Sequence, residues 1–344
     1  MENPVENLMI IQRILLEGDF DFSHYRTFKI FDPKERVISA ASFQSRVIQQ
    51  AVILVCGPYM ERPLIADTYA CRKGFGQWAA VFRDQDFYRR FDWALKMDMR
   101  HYFDSIDHEI ALGIVYDLFR EAGLRHFWEE IVTSYSTAPG KGVPIGNLTS
   151  QYLANLYLAT FDRFCQGKHR RYVRYMDDVL VLGDYEDLKA LKVAAAEFLD
   201  RERKLEIKNG GSLQRTSNGM EFLGCPLLKG GLGLARRSRR RLHRKLSMLN
   251  SLYEKGVIDG EEYRDRYQAV IAFPRQTGSY AMIRRAMGLY PPLTWLSPKL
   301  DCLLRESVQN SSCVADSSLE PVPGWEGGGA ASELAGQFPG PSGP

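Results

Sequence analysis

The chain has 344 residues, 45% hydrophobic and 25% charged, an ordinary composition with enough length for one large or two ordinary globular domains. No apolar run approaches the roughly 18 residues of a membrane span, and the acidic start "MENPVENLMIIQRILLEGDF" lacks the basic region and apolar core of a signal peptide. The total charge of +3 is unevenly spread: Ser311 to Pro344 carries four acids and no base, which leaves +7 on the rest.

Taken in chain order, residues 1–30 read as a helix followed by an extended stretch. "ASFQSRVIQQAVILVCGPYM" (41–60) keeps its apolar residues on one helical face, with Pro58 near the end. Residues 65–91 read as a turn bearing Gly74 and Gly76, then a second helix. "WALKMDM" (93–99) reads as a buried strand, and "DHEIALGIVYDLFREAG" (107–123) as a helix N-capped by Asp107 with Glu121 near its end. Residues 144–167 begin in a glycine turn and continue as a long apolar helix, capped by Asn147 or Thr149. There follow a strand (171–176), an acidic tip (177 and 178), a strand (179–182), an amphipathic helix (185–204) and a short strand pair (219–228).

The order strand–helix–helix–strand–strand–helix predicts an α+β sandwich with an antiparallel hairpin at its centre. From Lys229 to about Glu306 the composition is helical and basic. The stretch from 307 to 344 is rich in Gly, Pro and Ser, which predicts a disordered acidic tail. The six cysteines (56, 71, 165, 225, 302 and 313) form no CxxC pair, which predicts reduced, mostly buried thiols in a cytoplasmic protein.

Two adjacent acids, Asp177 and Asp178, interrupt the apolar run of "RYMDDVLVLGD" (174–184). One reading is a polar hairpin tip. The other is divalent metal, which turns carboxylate repulsion into coordination. "KMDMRHYFDSIDH" (96–108) supplies a third acid, Asp98, at the end of an apolar strand. If that strand pairs with 171–176, Asp98 lies beside Asp177 and Asp178. Three such acids can hold two Mg²⁺ ions about 3.5–4 Å apart, as nucleotidyl transfer needs. Phe103, where the chain leaves the strand, can pack beneath an incoming sugar and exclude a 2′-hydroxyl, or simply fill core. Arg72 and Lys73, on a glycine-bracketed turn, and Arg46, on the preceding helix, are suited to phosphate oxygens, although a surface turn with incidental cations reads the same way. "GVPIGNLTSQ" (142–151) lets the backbone of Gly146 approach a base pair, or is a plain helix-entry turn. "ARRSRRRLHRK" (235–245), with six Arg and one Lys, reads as a phosphate-binding surface in preference to a solvated helix face.

"YMDD" with its upstream "MDMRHYFDSIDH", 79 residues apart from Asp98 to Asp177, resembles the palm of reverse transcriptases. "ACRKGFG" is similar to their fingers motif and "GMEFLG" to the strand pair that grips the primer, and the resemblance runs over roughly residues 25–300. It implies a right-hand polymerase fold: an N-terminal extension (1–30), fingers and a ferredoxin-like palm with an antiparallel sheet (31–228), a basic helical thumb (229–306) and the tail (307–344). It implies Asp98, Asp177 and Asp178 as catalytic carboxylates holding two Mg²⁺ ions (Mn²⁺ as a substitute), with the Met99 carbonyl as a further ligand. Nucleotide contacts fall on Arg46, Arg72, Lys73, Phe103, Ile145, Gly146 and Gln151, and the primer grip on Phe222, Leu223 and Gly224. The thumb contacts the nucleic-acid backbone through Arg236, Arg237, Arg240 and Arg244, and a lysine, Lys204 or Lys208, protonates pyrophosphate. The implied partners are template RNA, a DNA or RNA primer and dNTPs, with no membrane.

Most reverse transcriptases carry Gln-Gly and Ser-Pro where this chain has Ile145-Gly146 and Ser150-Gln151. "IGNLTSQ", "FQSRVIQQA", "TYACRKGFG" and "VLGDYEDL" resemble the group II intron-like bacterial enzymes of diversity-generating retroelements. That group implies cDNA synthesis with errors at adenines and a small basic accessory protein. A retron-like or defence-associated reverse transcriptase is the alternative within the same fold.

Overall fold

β-branched and apolar residues around the three acids build a four-stranded antiparallel sheet in the computed structural model, which describes residues 4–31, 35–167 and 170–290. The chain opens with α1 (Pro4–Glu17), a hairpin of β1 (Tyr25–Phe31) and β2 (Glu35–Ala41), α2 (Phe43–Glu61) and α3 (Gln77–Arg90). Then come β3 (Trp93–Asp98), α4 (Tyr102–Ser105), α5 (His108–Leu118), α6 (Ala122–Thr133), α7 (Leu148–Tyr157), α8 (Ala159–Cys165), the hairpin of β4 (Arg171–Tyr175) and β5 (Asp178–Gly183), and α9 (Tyr185–Arg203). β6 (Ser212–Arg215) completes the sheet, in the order β4-β5-β3-β6. A second sheet holds β7 (Met220–Phe222), β8 (Cys225–Leu228) and β9 (Gly231–Leu232); α10 (Arg236–Glu254), α11 (Gly260–Gln276) and α12 (Tyr280–Leu289) follow.

The sheet is ferredoxin-like: two strand–helix–strand halves whose first strand, β3, lies between β5 and β6. Strand alternation gives it two faces. Leu95, Met97, Val179 and Val181 face a core shared with α5, α7, α8 and α9, whereas Ala94, Leu180 and Leu182 face α3 and the β7–β8 pair. Both faces are covered, so the sheet is buried except at the end where β3 stops and β5 starts.

The α+β class and the central hairpin agree with the sequence reading, and several boundaries do not. Asp107 caps α5 as expected, its carboxylate accepting from the Ile110 N–H at 3.2 Å. That helix stops at Leu118, and Glu121 precedes a second helix, α6, because Phe119 turns extended and buries its ring while Arg125 takes the freed carbonyls of Phe119 and Tyr116. The long helix of 144–167 breaks at Leu158 into α7 and α8; Arg203 Nε caps the freed Tyr157 carbonyl at 2.7 Å. Asn147 stands before α7 without a side-chain cap, and Thr149 lies inside it, bonded to Gln49. β2 and β6 have no counterpart in the sequence reading.

The described cysteines, Cys56, Cys71, Cys165 and Cys225, are free, and all but Cys71 are buried. Cys302, Cys313, the last part of the basic helical stretch and the acidic tail lie outside the described residues. No helix among the described residues is long and apolar enough to cross a membrane.

Asp84 on α3 is fully buried, and neither carboxylate oxygen has a hydrogen-bond partner. Burial, and then the charge of Asp67, push its pKa well above the usual carboxylate range. The folded chain keeps this proton after the unfolded chain has lost it, so stability drains away as pH rises from the unfolded pKa of about 4. Asp84→Asn keeps the shape without the titration. In thermal unfolding at pH 8 it will be more stable than wild type, with the gap closing toward pH 4.5. An equal gap at both pH values would contradict the assignment.

Candidate active site

Asp98 ends β3 directly opposite Asp178, the first residue of β5, and Asp177 occupies the turn before it. The sequence reading paired the Asp98 strand with 171–176, and the structure corrects this. β3 lies against the other arm of the hairpin, because β5 is apolar on both faces and takes the centre while β4, with Arg171 exposed, takes the edge. Asp178 is therefore a strand residue, and the tip is Met176 and Asp177 alone.

That tip is strained. Met176 has a φ of +58°, a left-handed conformation costing a side chain of its size roughly 1–2 kcal/mol. Arg174 holds it. This fully buried guanidinium donates to both oxygens of Asp162 (Nε–Oδ1 2.6 Å, Nη2–Oδ2 2.7 Å), to the Asn155 side-chain and main-chain carbonyls (3.1 and 3.0 Å) and to the Met176 carbonyl (3.0 Å). All of its N–H donors are used. Tyr172 (2.6 Å) and Thr68 (2.9 Å) complete Asp162. Arg174, Asp162 and Asn155 are not among the functional residues legible in the sequence, where the one signal is an arginine inside an apolar strand.

Three carboxylates crowd the strand ends. Burial first, then Asp178 and Asp98, push the half-buried Asp177 carboxyl up to about 6, with Arg36 of β2 pulling the other way. Lys208 Nζ lies 3.4 Å from Asp98 and Lys96 Nζ lies 3.9 Å from Asp178. Lys204 is elsewhere: it ends α9 in a left-handed conformation and pairs with Asp107 at 2.6 Å. Of the two candidate lysines, only Lys208 faces the carboxylates. Among the described residues no three His, Cys, Asp or Glu side chains are already gathered into a metal shell. The donor set still fits Mg²⁺, since hard carboxylate oxygens in mutual repulsion leave room for the waters and phosphate oxygens this ion retains.

Around the acids the predicted nucleotide contacts divide. Met99 is buried and bridged to Ile207. Phe103 on α4 is half-buried, edge-on to Tyr102 at 5.7 Å, and its carbonyl accepts from the Val143 N–H at 2.9 Å, which draws the 142–146 loop to it. The Ile145 carbonyl accepts from Ser39 N–H at 3.1 Å, and a Cβ on Gly146 (φ +124°) would meet Ile38 at 3.2 Å, so this loop is seated on β2. Gln151 accepts from the Cys71 thiol at 3.1 Å.

Arg72 departs from expectation. It bonds Glu61 (3.3 Å) and the Ile65 and Thr68 carbonyls (2.9 and 2.8 Å) and stacks on Phe75, because the tight turn it closes exposes carbonyls that need a donor. Lys73 and Arg46 are exposed; Arg46 lines a cleft of about 810 Å³ with Arg26, Tyr25 and Phe28.

Leu223 and Gly224 form the left-handed two-residue turn between β7 and β8, with Phe222 buried beneath and Gln77 Nε2 on the Leu223 carbonyl at 2.8 Å. On α10, Leu242, Leu246 and Leu249 face inward and the arginines outward. Arg237, Arg240 and Arg244, joined by Arg241, line a cavity of about 440 Å³ with Phe31; Arg236 is exposed outside it.

Residues 31–227 match the family model for reverse transcriptase (RNA-dependent DNA polymerase). Protein YkfC of Escherichia coli (strain K12) is 22% identical over 280 residues, covering 64% of this chain and 71% of that protein. The putative COX1/OXI3 intron 2 protein of Saccharomyces cerevisiae is 20% identical over 161 residues, 43% of this chain and 18% of the relative. Among solved structures, apo telomerase from Candida tropicalis aligns with a TM-score of 0.51 at 11% identity, covering 83% of this chain and 62% of the telomerase chain. The likeness is one of fold, the right-hand polymerase architecture, and the chain spans less than two thirds of that telomerase's length.

Arg174→Met leaves Asp162 buried and uncompensated, which typically costs about 3–5 kcal/mol. Urea unfolding will show a loss of that size. A loss below about 1 kcal/mol would mean that the pair does not hold the turn.

Proposed function

This chain belongs to the reverse transcriptase family, and from that premise we propose that it copies RNA into DNA by metal-dependent nucleotidyl transfer. The observation that carries the reading is the register of Asp98 against Asp178 beside the strained Asp177 turn, on the open end of a palm-like sheet. Asp98, Asp177 and Asp178 would hold two Mg²⁺ ions, which when bound polarise the attacking hydroxyl and offset triphosphate charge. The remaining work falls to side chains of this chain. Phe103 excludes a ribose 2′-hydroxyl; Arg36, Arg46 and Lys73 draw in the triphosphate. Lys208 protonates the leaving pyrophosphate. The Phe222–Leu223–Gly224 turn holds the primer end, and Arg237, Arg240, Arg241 and Arg244 follow the duplex backbone.

The finer reading is the diversity-generating type, on "IGNLTSQ" (145–151). Ile145 places an apolar side chain where most relatives carry a long polar one, and on this reading the pocket is one polar contact short. Template RNA, primer, dNTPs and a small basic accessory protein are the partners of this reading.

Primer extension on an adenine-containing RNA template with Mg²⁺ and dNTPs tests both levels. Wild type will extend, and Asp177→Asn will lose roughly 10²–10³-fold or more in rate, the scale of removing one charge-stabilising group. Extension undiminished in the variant contradicts the polymerase reading. Sequenced wild-type products will carry errors clustered opposite adenine, reduced by Ile145→Gln; accurate copying removes the finer reading and keeps the polymerase.

A further inference from the structure

Lys96 lies two residues before Asp98 on β3, so the two side chains leave the same face of the sheet. That face looks toward β7 and β8. Its ammonium donates to the main-chain carbonyl of Glu221 at 2.8 Å and stands 3.9 Å from Asp178 Oδ1. β7 is the edge strand of the second sheet, and Glu221 stands at a non-hydrogen-bonded position opposite Pro226, whose own carbonyl accepts from the Gly233 N–H on the β9 side at 2.7 Å. The Glu221 carbonyl therefore takes its donor from outside its own sheet, one residue before the Phe222–Leu223–Gly224 turn. A lone Lys–Asp contact at 3.9 Å between half-exposed groups would count for little. A charged hydrogen bond to an edge carbonyl is directional, and here it links two separate sheets.

We propose that Lys96 is a positioning residue, setting the separation between the β7–β8 turn and the carboxylate pair Asp98–Asp178, so that a primer 3′ end held on that turn meets the reacting groups. The proposal rests on the polymerase reading. Other contacts fix the second sheet from its far side: Gln77 to Leu223 and Gln85 to the Leu228 carbonyl at 2.7 Å, both from α3. From the side of the carboxylates Lys96 supplies a polar contact to β7 itself, and Gln214 of β6 donates to the Gly219 carbonyl just before that strand at 2.7 Å. Because the duplex backbone is held by α10, losing Lys96 misplaces the primer end without releasing the duplex. The consequence is a fall in turnover of bound primer, with binding itself spared.

The test compares wild type, Lys96→Met and Lys96→Arg in single-nucleotide addition on an RNA template, with primer–template and Mg²⁺ each titrated and thermal unfolding measured alongside. Lys96→Met will lose about 10- to 100-fold in kcat, with primer–template Kd changed by less than about 3-fold and the unfolding temperature unchanged. Lys96→Arg, which keeps a donor, will regain most of the lost rate. A Lys96→Met enzyme with wild-type kcat, one whose loss is confined to Kd, or one fully restored by more Mg²⁺ overturns the proposal. So does a loss matched by lowered thermal stability and left uncorrected by arginine. A wild-type chain that adds no nucleotide overturns the polymerase reading itself, a result distinct from each of these.

Discussion

The buried pair of Arg174 and Asp162 is the constraint on which the site depends. An ion pair in a dry core is a poor source of net stability, since an apolar replacement of equal volume often does as well. What apolar packing cannot do is point. Arg174 spends its donors on Asp162, on Asn155 and on the carbonyl of Met176, and so fixes a turn that its own residue types disfavour. The same pair reaches the opposite side of the fold. Thr68 bonds Asp162, Asn155 Nδ2 donates to the Ala70 carbonyl at 2.7 Å, and the main chain of Arg174 bonds Asp67 and Tyr69. The segment leading into Arg72 and Lys73 is thus pinned to the turn that carries Asp177. Even the break between α7 and α8 belongs to this arrangement, since Asn155 and Asp162 sit on either side of it.

Around that frame the sheet sorts chemistry by parity. Even-numbered positions on β3 and β5 put Lys96, Asp98 and Asp178 on the face turned toward β7 and β8, while odd-numbered neighbours fill the opposite core. Three acids at one open end repel one another, and burial raises the cost, as the upward shift of Asp177 records. The cations nearby are few and stand at the rim: Lys208, Lys96 and Arg36. Additional positive charge at such a site relieves the repulsion among its carboxylates.

Much of this was legible in the sequence. An Asp-Asp pair inside an apolar run, a third acid ending another apolar run and a short strand pair around Leu223-Gly224 are local patterns, and local patterns survive into the structure. What failed to show depends on partners far away in the chain. Which arm of the hairpin faces β3 is set by burial on both sides of β5, and a list of apolar residues does not rank two neighbouring strands. The helix ends at Leu118 and Leu158 are fixed by Arg125 and Arg203 reaching for carbonyls. Arg72 looked like a free cation because the carbonyls it satisfies belong to a turn whose geometry no residue type announces. Lys204 and Lys208 stand four residues apart, and only the left-handed end of α9 sends one to Asp107 and the other to Asp98.

The proposed function requires Asp98 and the Asp177–Asp178 hairpin to form one two-cation site, and that requirement is directly measurable. Fe²⁺ exchanged for Mg²⁺ generates hydroxyl radicals at bound metal and cuts the nearby backbone, so the cut sites map the ions. With primer, RNA template and nucleotide present, two cuts are expected in the same molecules, one beside Asp98 and one beside Asp177, both suppressed by excess Mg²⁺ and lost in Asp98→Asn. Cuts at only one of these positions, or at neither, would contradict it.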